Sequence, residues 1–135
     1  MRRTPRRPAP LAIALLLLAC SARATPPQPD PGRVELRAPI VRVSLRVAES
    51  FPPQYFADVT SALPDGCTRF ARFALRREDA VVYVDVFNTR PRDEDAMCTM
   101  IYGEHESAIA LGSDFAPGRS YTLDVNGTQT TFVAQ

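Results

Sequence analysis

The chain has 135 residues, and its sixteen basic side chains, all arginine, face fifteen acidic ones for a formal net charge of +1. That length gives room for one domain. No run of about eighteen apolar residues is present, so no ordinary membrane-spanning helix is expected. The exclusive use of Arg reads as the codon bias of a GC-rich genome.

The first elements belong to targeting. Arg2, Arg3, Arg6 and Arg7 precede an apolar core from Leu11 to Leu18, the layout of a signal peptide over residues 1–19. The pair Arg6-Arg7 lacks the rest of a twin-arginine signal, which points to the general secretory route. Leu17-Leu18-Ala19-Cys20 resembles the bacterial lipobox, in which the cysteine becomes the lipidated first residue of the mature chain. Ala22-Arg23-Ala24 offers ordinary signal peptidase a competing site, and cleavage there would release a secreted or periplasmic protein. The lipobox lies directly against the apolar core, where a lipoprotein needs it, so lipidation at Cys20 leads. Ser21 after the cysteine resembles an outer-membrane sorting signal of a Gram-negative host. From Cys20 onward twelve arginines face fifteen acidic residues, a net of −3, which argues against a general nucleic-acid binder, since that needs a basic footprint.

Residues 20–38 carry Pro26, Pro27, Pro29, Pro31 and Gly32 and read as an extended tether of about 3 Å per residue, with a disordered terminus an equally compatible reading. The folded domain is expected over 39–135. Val41, Val43, Leu45 and Val47 alternate with polar residues, the period of a half-buried strand. Phe51-Pro52-Pro53 interrupts it, and Tyr55–Leu63 resumes a second strand. Pro64-Asp65-Gly66 is a turn, with Pro presetting φ, Asp bonding nearby backbone and Gly expected in the left-handed region. Strands follow over Cys67–Arg76 and Val81–Asn88. In the second of these, Val82, Val84 and Val86 face one way and Val81, Tyr83, Asp85 and Phe87 the other. After a polar loop over 88–95, Ala96–Tyr102 and Glu106–Leu111 read as two further strands. Tyr121, Leu123 and Val125 then alternate with Thr122 and Asp124, Asn126-Gly127 supplies a tight turn, and Thr128–Val133 completes a hairpin. Upstream of it, Phe115, Pro117, Gly118 and Tyr121 look like the tyrosine corner of immunoglobulin-like and fibronectin-type sandwiches. The fold expected is therefore all-β, an antiparallel immunoglobulin-like sandwich of seven or eight strands.

After processing, Cys67 and Cys98 are the pair able to close within the domain. Export makes a disulfide the default, ahead of a metal pair or a reactive thiol, since no C-x-x-C and no second ligand at suitable spacing accompany either cysteine. No cofactor, catalytic or metal residues are expected. His105 is the only histidine, and in a strand its neighbours Glu104 and Glu106 would face away from it. Asp93-Glu94-Asp95 offers oxygen ligands but lacks the alternation and glycine of a calcium loop. Asn126-Gly127-Thr128 matches a glycosylation sequon that the hairpin makes coincidental. Phe51 and Tyr55 form an aromatic contact candidate, weighed against core entry at a strand kink. Arg90, Asp93 and Asp95 form a second candidate, on the polar loop.

The segments Glu49–Phe56, Leu63–Phe70, Cys98–Gly103 and Leu111–Phe115 resemble those of small exported bacterial single-domain proteins of unassigned function. That resemblance covers the domain and implies an envelope setting and no catalytic residues. Likeness to chagasin-type protease inhibitors is architectural only. Their Asn-Pro-Thr-Thr-Gly loop is missing, and Arg90-Pro91-Arg92 departs from their Arg-Pro-aromatic loop. The function expected is a non-catalytic envelope binding module, lipid-anchored, contacting a protein or glycan through loops at one end of the sandwich. An exported protease inhibitor is the alternative, and a small hydrolase or metal-dependent enzyme built on His105 comes last.

Overall fold

A computed structural model describes residues 30–135; the stretch read as a signal peptide, Cys20 and the first part of the stretch read as a tether lie outside the described residues. Eight strands form two sheets: β1 (Arg33–Arg37), β2 (Ile40–Ala48), β3 (Gln54–Leu63), β4 (Arg69–Glu78), β5 (Val81–Pro91), β6 (Gly103–Gly112), β7 (Ser120–Val125) and β8 (Thr128–Val133). One sheet runs β2-β3-β6, and the other is centred on β5. Because β4 lies along nearly the whole of β5, β1 and β7 must share its opposite edge. There β1 sits beside Phe87–Pro91 and β7 beside Val81–Val84, with β8 outside β7.

The two-residue period decides which faces meet. Val82, Val84 and Val86 of β5, with Leu123 and Val125 of β7, pack against Ala57 and Val59 of β3 and Ile109 and Leu111 of β6 in one buried core. Outward on β5, Tyr83 and Phe87 lie under the guanidinium planes of Arg76 and Arg72, 3.8 and 4.2 Å from the ring centres. Stacking of this kind is open to planar Arg and covers aromatic surface that would otherwise be wet.

The all-β sandwich stands as expected, with differences in detail. β7 runs parallel to β5, so this sheet is mixed where an immunoglobulin-like sandwich has two antiparallel sheets. Between the two strands the chain crosses to the other sheet as β6 and returns, and the double reversal restores its direction. Residues before 39 also belong to the sandwich. Residues 33–37, read as tether, pair with β5, and the strand then changes sheets: Ala38 N donates to Val86 O and Ala62 N to Pro39 O, both at 2.9 Å. Proline composition hid this strand, since only Val34 and Leu36 offer the apolar alternation. In β2 the register shifts between Ile40 and Arg42. The bulge turns Val41 outward and lets Ile40 and Val43 face the core instead.

Residues 96–102, read as a strand, form a loop. They cross one end of the sandwich from β5 in one sheet to β6 in the other, where no ladder partner exists.

Two devices close the second sheet. At the corner, the Tyr121 hydroxyl accepts from Ala116 N at 2.9 Å, and the Phe115 ring stands edge-on to Tyr121 at 4.9 Å. Gly118 takes φ +77°, and its N–H reaches Ala134 O at 2.8 Å across the exposed Pro117 bend. At the hairpin tip, Asn126 and Gly127 have φ of +50° and +93°, as a type I′ turn requires. Asn126 also fills the gap where β7 ends and β1 has not yet begun. Its Oδ1 accepts from Val86 N at 3.1 Å, and its Nδ2 donates to Val86 O and Ala38 O, each at 2.8 Å. The side chain stands in for the missing ladder residue, which gives the apparent sequon a structural role.

Candidate functional site

Both connections that pass between the sheets by way of β4 and β5 cross at the same end. The turn over 64–68 takes the chain from β3 to β4, and the loop over 92–102 takes it from β5 to β6. A disulfide between Cys67 and Cys98, with Cα atoms 5.4 Å apart, ties one crossing to the other. Beside it Gly66 N donates to Thr99 O at 2.8 Å. A Cβ on Gly66 would lie 2.1 Å from Thr99 Oγ1. Gly66 is thus demanded by close approach, not by the left-handed φ expected from the sequence; its φ is not positive.

Asp65 holds the turn. Its Oδ1 accepts from Cys67 N (2.9 Å), Thr68 N (2.7 Å) and Thr68 Oγ1 (2.9 Å). The Thr68 hydroxyl bond, followed by the backbone bonds, holds the Asp65 carboxyl below the usual carboxylate range. A depressed pKa has a fixed sign: the stability contributed is full above the ordinary range near about 4 and is lost as pH falls through the lower native value. Asp65→Ala should therefore lower the urea midpoint near neutral pH, and the gap from wild type should narrow steadily towards the acid end of the titration.

The chain enters the domain at this end too. Arg33 Nη2 donates to Cys67 O at 2.6 Å and Thr89 O at 2.9 Å, and Arg92 Nε donates to Pro31 O at 3.1 Å. Between turn and loop lies a cleft of about 330 Å³ lined by Asp65, Arg90, Pro91, Asp93, Glu94 and Ala96, with the disulfide in its wall. Among the described residues the Arg90 guanidinium makes no direct hydrogen bond or close ion pair, but its charge is near enough to Asp65 to help lower that carboxyl's pKa. Asp93 Oδ1 is taken up locally by Asp95 N at 3.0 Å. Beyond the cleft the loop exposes Met97, Met100, Ile101 and Tyr102. A second depression, about 410 Å³ on the outer face of β2-β3-β6, has its charges paired already, Arg42 with Glu106 and Arg46 with Asp58.

The structure separates the two binding candidates read from the sequence. Arg90, Asp93 and Asp95 lie at the stapled end, Phe51 at the opposite one. Tyr55 is corrected to a core residue: it is buried, its ring centre is 4.7 Å from that of Phe115, and its hydroxyl accepts from Gln135 N at 2.8 Å. Phe51, four residues earlier and followed by two prolines, is fully exposed. His105 sits on the inner side of β6, half-buried and stacked on Phe70 at 4.0 Å, while Glu104 and Glu106 face out. The three do not converge. Among the described residues, three potential metal ligands come together only at Asp65, Cys67 and Cys98, where both sulfurs are bonded to each other and the Asp65 carboxylate accepts three donors. The apolar run from Met97 to Tyr102 was missed as a surface because its composition suits a strand equally well; the cysteine in its middle was the available signal.

A family model described as the ORF11 beta-sandwich domain matches residues 57–134. An uncharacterized 10.2 kDa protein in the HgiCIIM 5′ region of Herpetosiphon aurantiacus is 32% identical over 87 residues, which cover 64% of this chain and 89% of that protein. Two more from the same organism, uncharacterized 10.2 kDa proteins in the HgiBIM and HgiEIM 5′ regions, are each 34% identical over 77 residues, covering 57% of this chain and 90% of theirs. No protein of known structure matches the chain.

Proposed function

The chain belongs to the ORF11 beta-sandwich domain family, and we propose that its stapled end is the contact surface of an exported, lipid-anchored binding module that performs no catalysis. The single observation carrying this reading is Arg90, which makes no direct hydrogen bond and lends only its charge to Asp65, in a cleft walled by two crossing loops and their disulfide. Loops fixed to a rigid sandwich suit recognition because little ordering entropy is lost on contact. The cleft sits at the small end of ligand-site volumes. It sets one guanidinium that makes no direct hydrogen bond beside the carboxylates of Asp65, Asp93 and Glu94, so a protein segment or glycan offering both an acceptor and donors fits it. Support for export and for the anchor comes from the leader, Leu17-Leu18-Ala19-Cys20 and the proline-rich stretch after it.

In-cell cross-linking of the full chain, followed by capture, tests the reading. Arg90→Glu and Asp93→Arg should each lower partner yield by about tenfold or more, the scale of one lost charged contact. Phe51→Ser and His105→Ala should leave it near wild type. A captured protease that loses turnover on binding would make the module an inhibitor. The reading fails if yield ignores both cleft substitutions, or if the protein shows a hydrolytic or metal-dependent turnover that His105→Ala removes without unfolding it.

A further inference from the structure

We propose that the loop crest formed by Met97, Met100, Ile101 and Tyr102 seats against the lipid bilayer to which the chain is anchored. The proposal rests on the lipid-anchored reading above and gives the stapled end an orientation. Relative exposures are 99% for Met97, 89% for Met100, 70% for Ile101 and 57% for Tyr102. Large apolar side chains clustered in water mark a contact surface. Methionine adapts to irregular partners, and tyrosine favours the boundary between headgroups and acyl chains. The disulfide at Cys98 and the Gly66–Thr99 bond hold the crest out from the sandwich, so its exposure is built in.

The place where the chain enters selects a bilayer as the occupant. Pro31, Gly32 and Arg33 are bonded to Arg92, Cys67 and Thr89, at the crest's own end of the domain. Nine residues lie between Cys20 and Asp30, a reach of about 30 Å when extended. Strands of ten and eleven residues make the sandwich roughly 35 Å long. An anchor attached at the stapled end therefore holds the crest nearer the membrane surface than Phe51. Charge does not draw the crest to a bilayer, because Arg33, Arg69, Arg90 and Arg92 at this end are outnumbered by Asp30, Asp65, Asp93, Glu94, Asp95 and Glu104. The contact is apolar and should vary little with salt.

The test uses the full chain made in a Gram-negative bacterium, with a photoreactive diazirine side chain placed at Met100 or, as the control, at Phe51. Membranes are irradiated, and adducts are assigned by mass as phospholipid or protein. Phospholipid adducts should be several-fold more abundant at Met100 than at Phe51. They should persist in high salt and fall to the Phe51 level when Met97→Glu and Ile101→Glu are added, changes at exposed positions that leave the core alone. Equal phospholipid labelling at both positions, or protein adducts at Met100, would overturn the proposal. Labelling with a fatty-acid analogue, lost in Cys20→Ala, reads the anchor separately. A labelled chain without phospholipid adducts at Met100 refutes the docking and keeps the anchor. An unlabelled chain with them keeps the docking and refutes the anchor, and a chain with neither refutes both.

Discussion

Cys98→Ser should cost the domain about 3–4 kcal/mol, the value the chain-entropy model gives for a closed loop of this size. The bridge spans 31 residues of sequence and contains β4 and β5 whole, so its removal frees both crossings of one end at once. The cost is a large fraction of the roughly 5–15 kcal/mol that stabilises a domain. Cys67→Ser should match it, and the double substitution should add little, because the two residues act as one constraint. Equilibrium denaturation in urea reads the effect, and thiol titration of the unfolded, unreduced wild type should find neither sulfur free. A loss below about 1 kcal/mol would mean that Asp65 and the Gly66–Thr99 bond hold the end without the bridge.

Asn126→Ala should be almost as damaging, by about 3 kcal/mol. Three hydrogen bonds disappear, at roughly 1 kcal/mol each, and Val86 is left with a backbone N–H that has lost its acceptor. The methyl side chain must also adopt φ +50°, where L-residues other than Asn, Asp and Gly are strained. Asn126→Gly relieves the strain while losing the same bonds, so it should fall between wild type and Asn126→Ala. The order matters more than the sizes. If Asn126→Gly were as stable as wild type, the side chain would serve only the turn, and the junction of β1 and β7 on β5 would be held elsewhere.

What the sequence disclosed follows the strength of each local signal. Alternation in Val81–Phe87 and Tyr121–Val125 is strict, and both strands face the core as read. The corner at Phe115–Tyr121 and the Asn126-Gly127 turn depend on residue types with narrow backbone preferences, so they too were legible. The disulfide was reached by elimination and compartment and is present. Pairing partners carry no comparable signature: nothing in β5 or β7 taken alone announces a parallel pair, which arises from β6 crossing between them. β1 is short and lies among prolines. Val41 keeps the alternation on paper while a bulge reverses its side. At the candidate site, Phe51 and Tyr55 looked like one patch by proximity in sequence, yet a kink sends one into water and the other into the aromatic cluster with Phe115 and Phe132. The cleft itself joins residues from 65 to 98, a juxtaposition only the sheet crossings create.

Hydrogen exchange on the full chain, compared between native membranes and detergent, asks most directly whether the stapled end is where this protein makes contact. Exchange is slowed where solvent is excluded or a loop is held still. The account predicts slower exchange in membranes over residues 64–68 and 90–102, with the loops over 49–53 and 113–119 unchanged. Protection confined to those distant loops, or to the half-exposed Phe73 and Leu75 on β4, would contradict it.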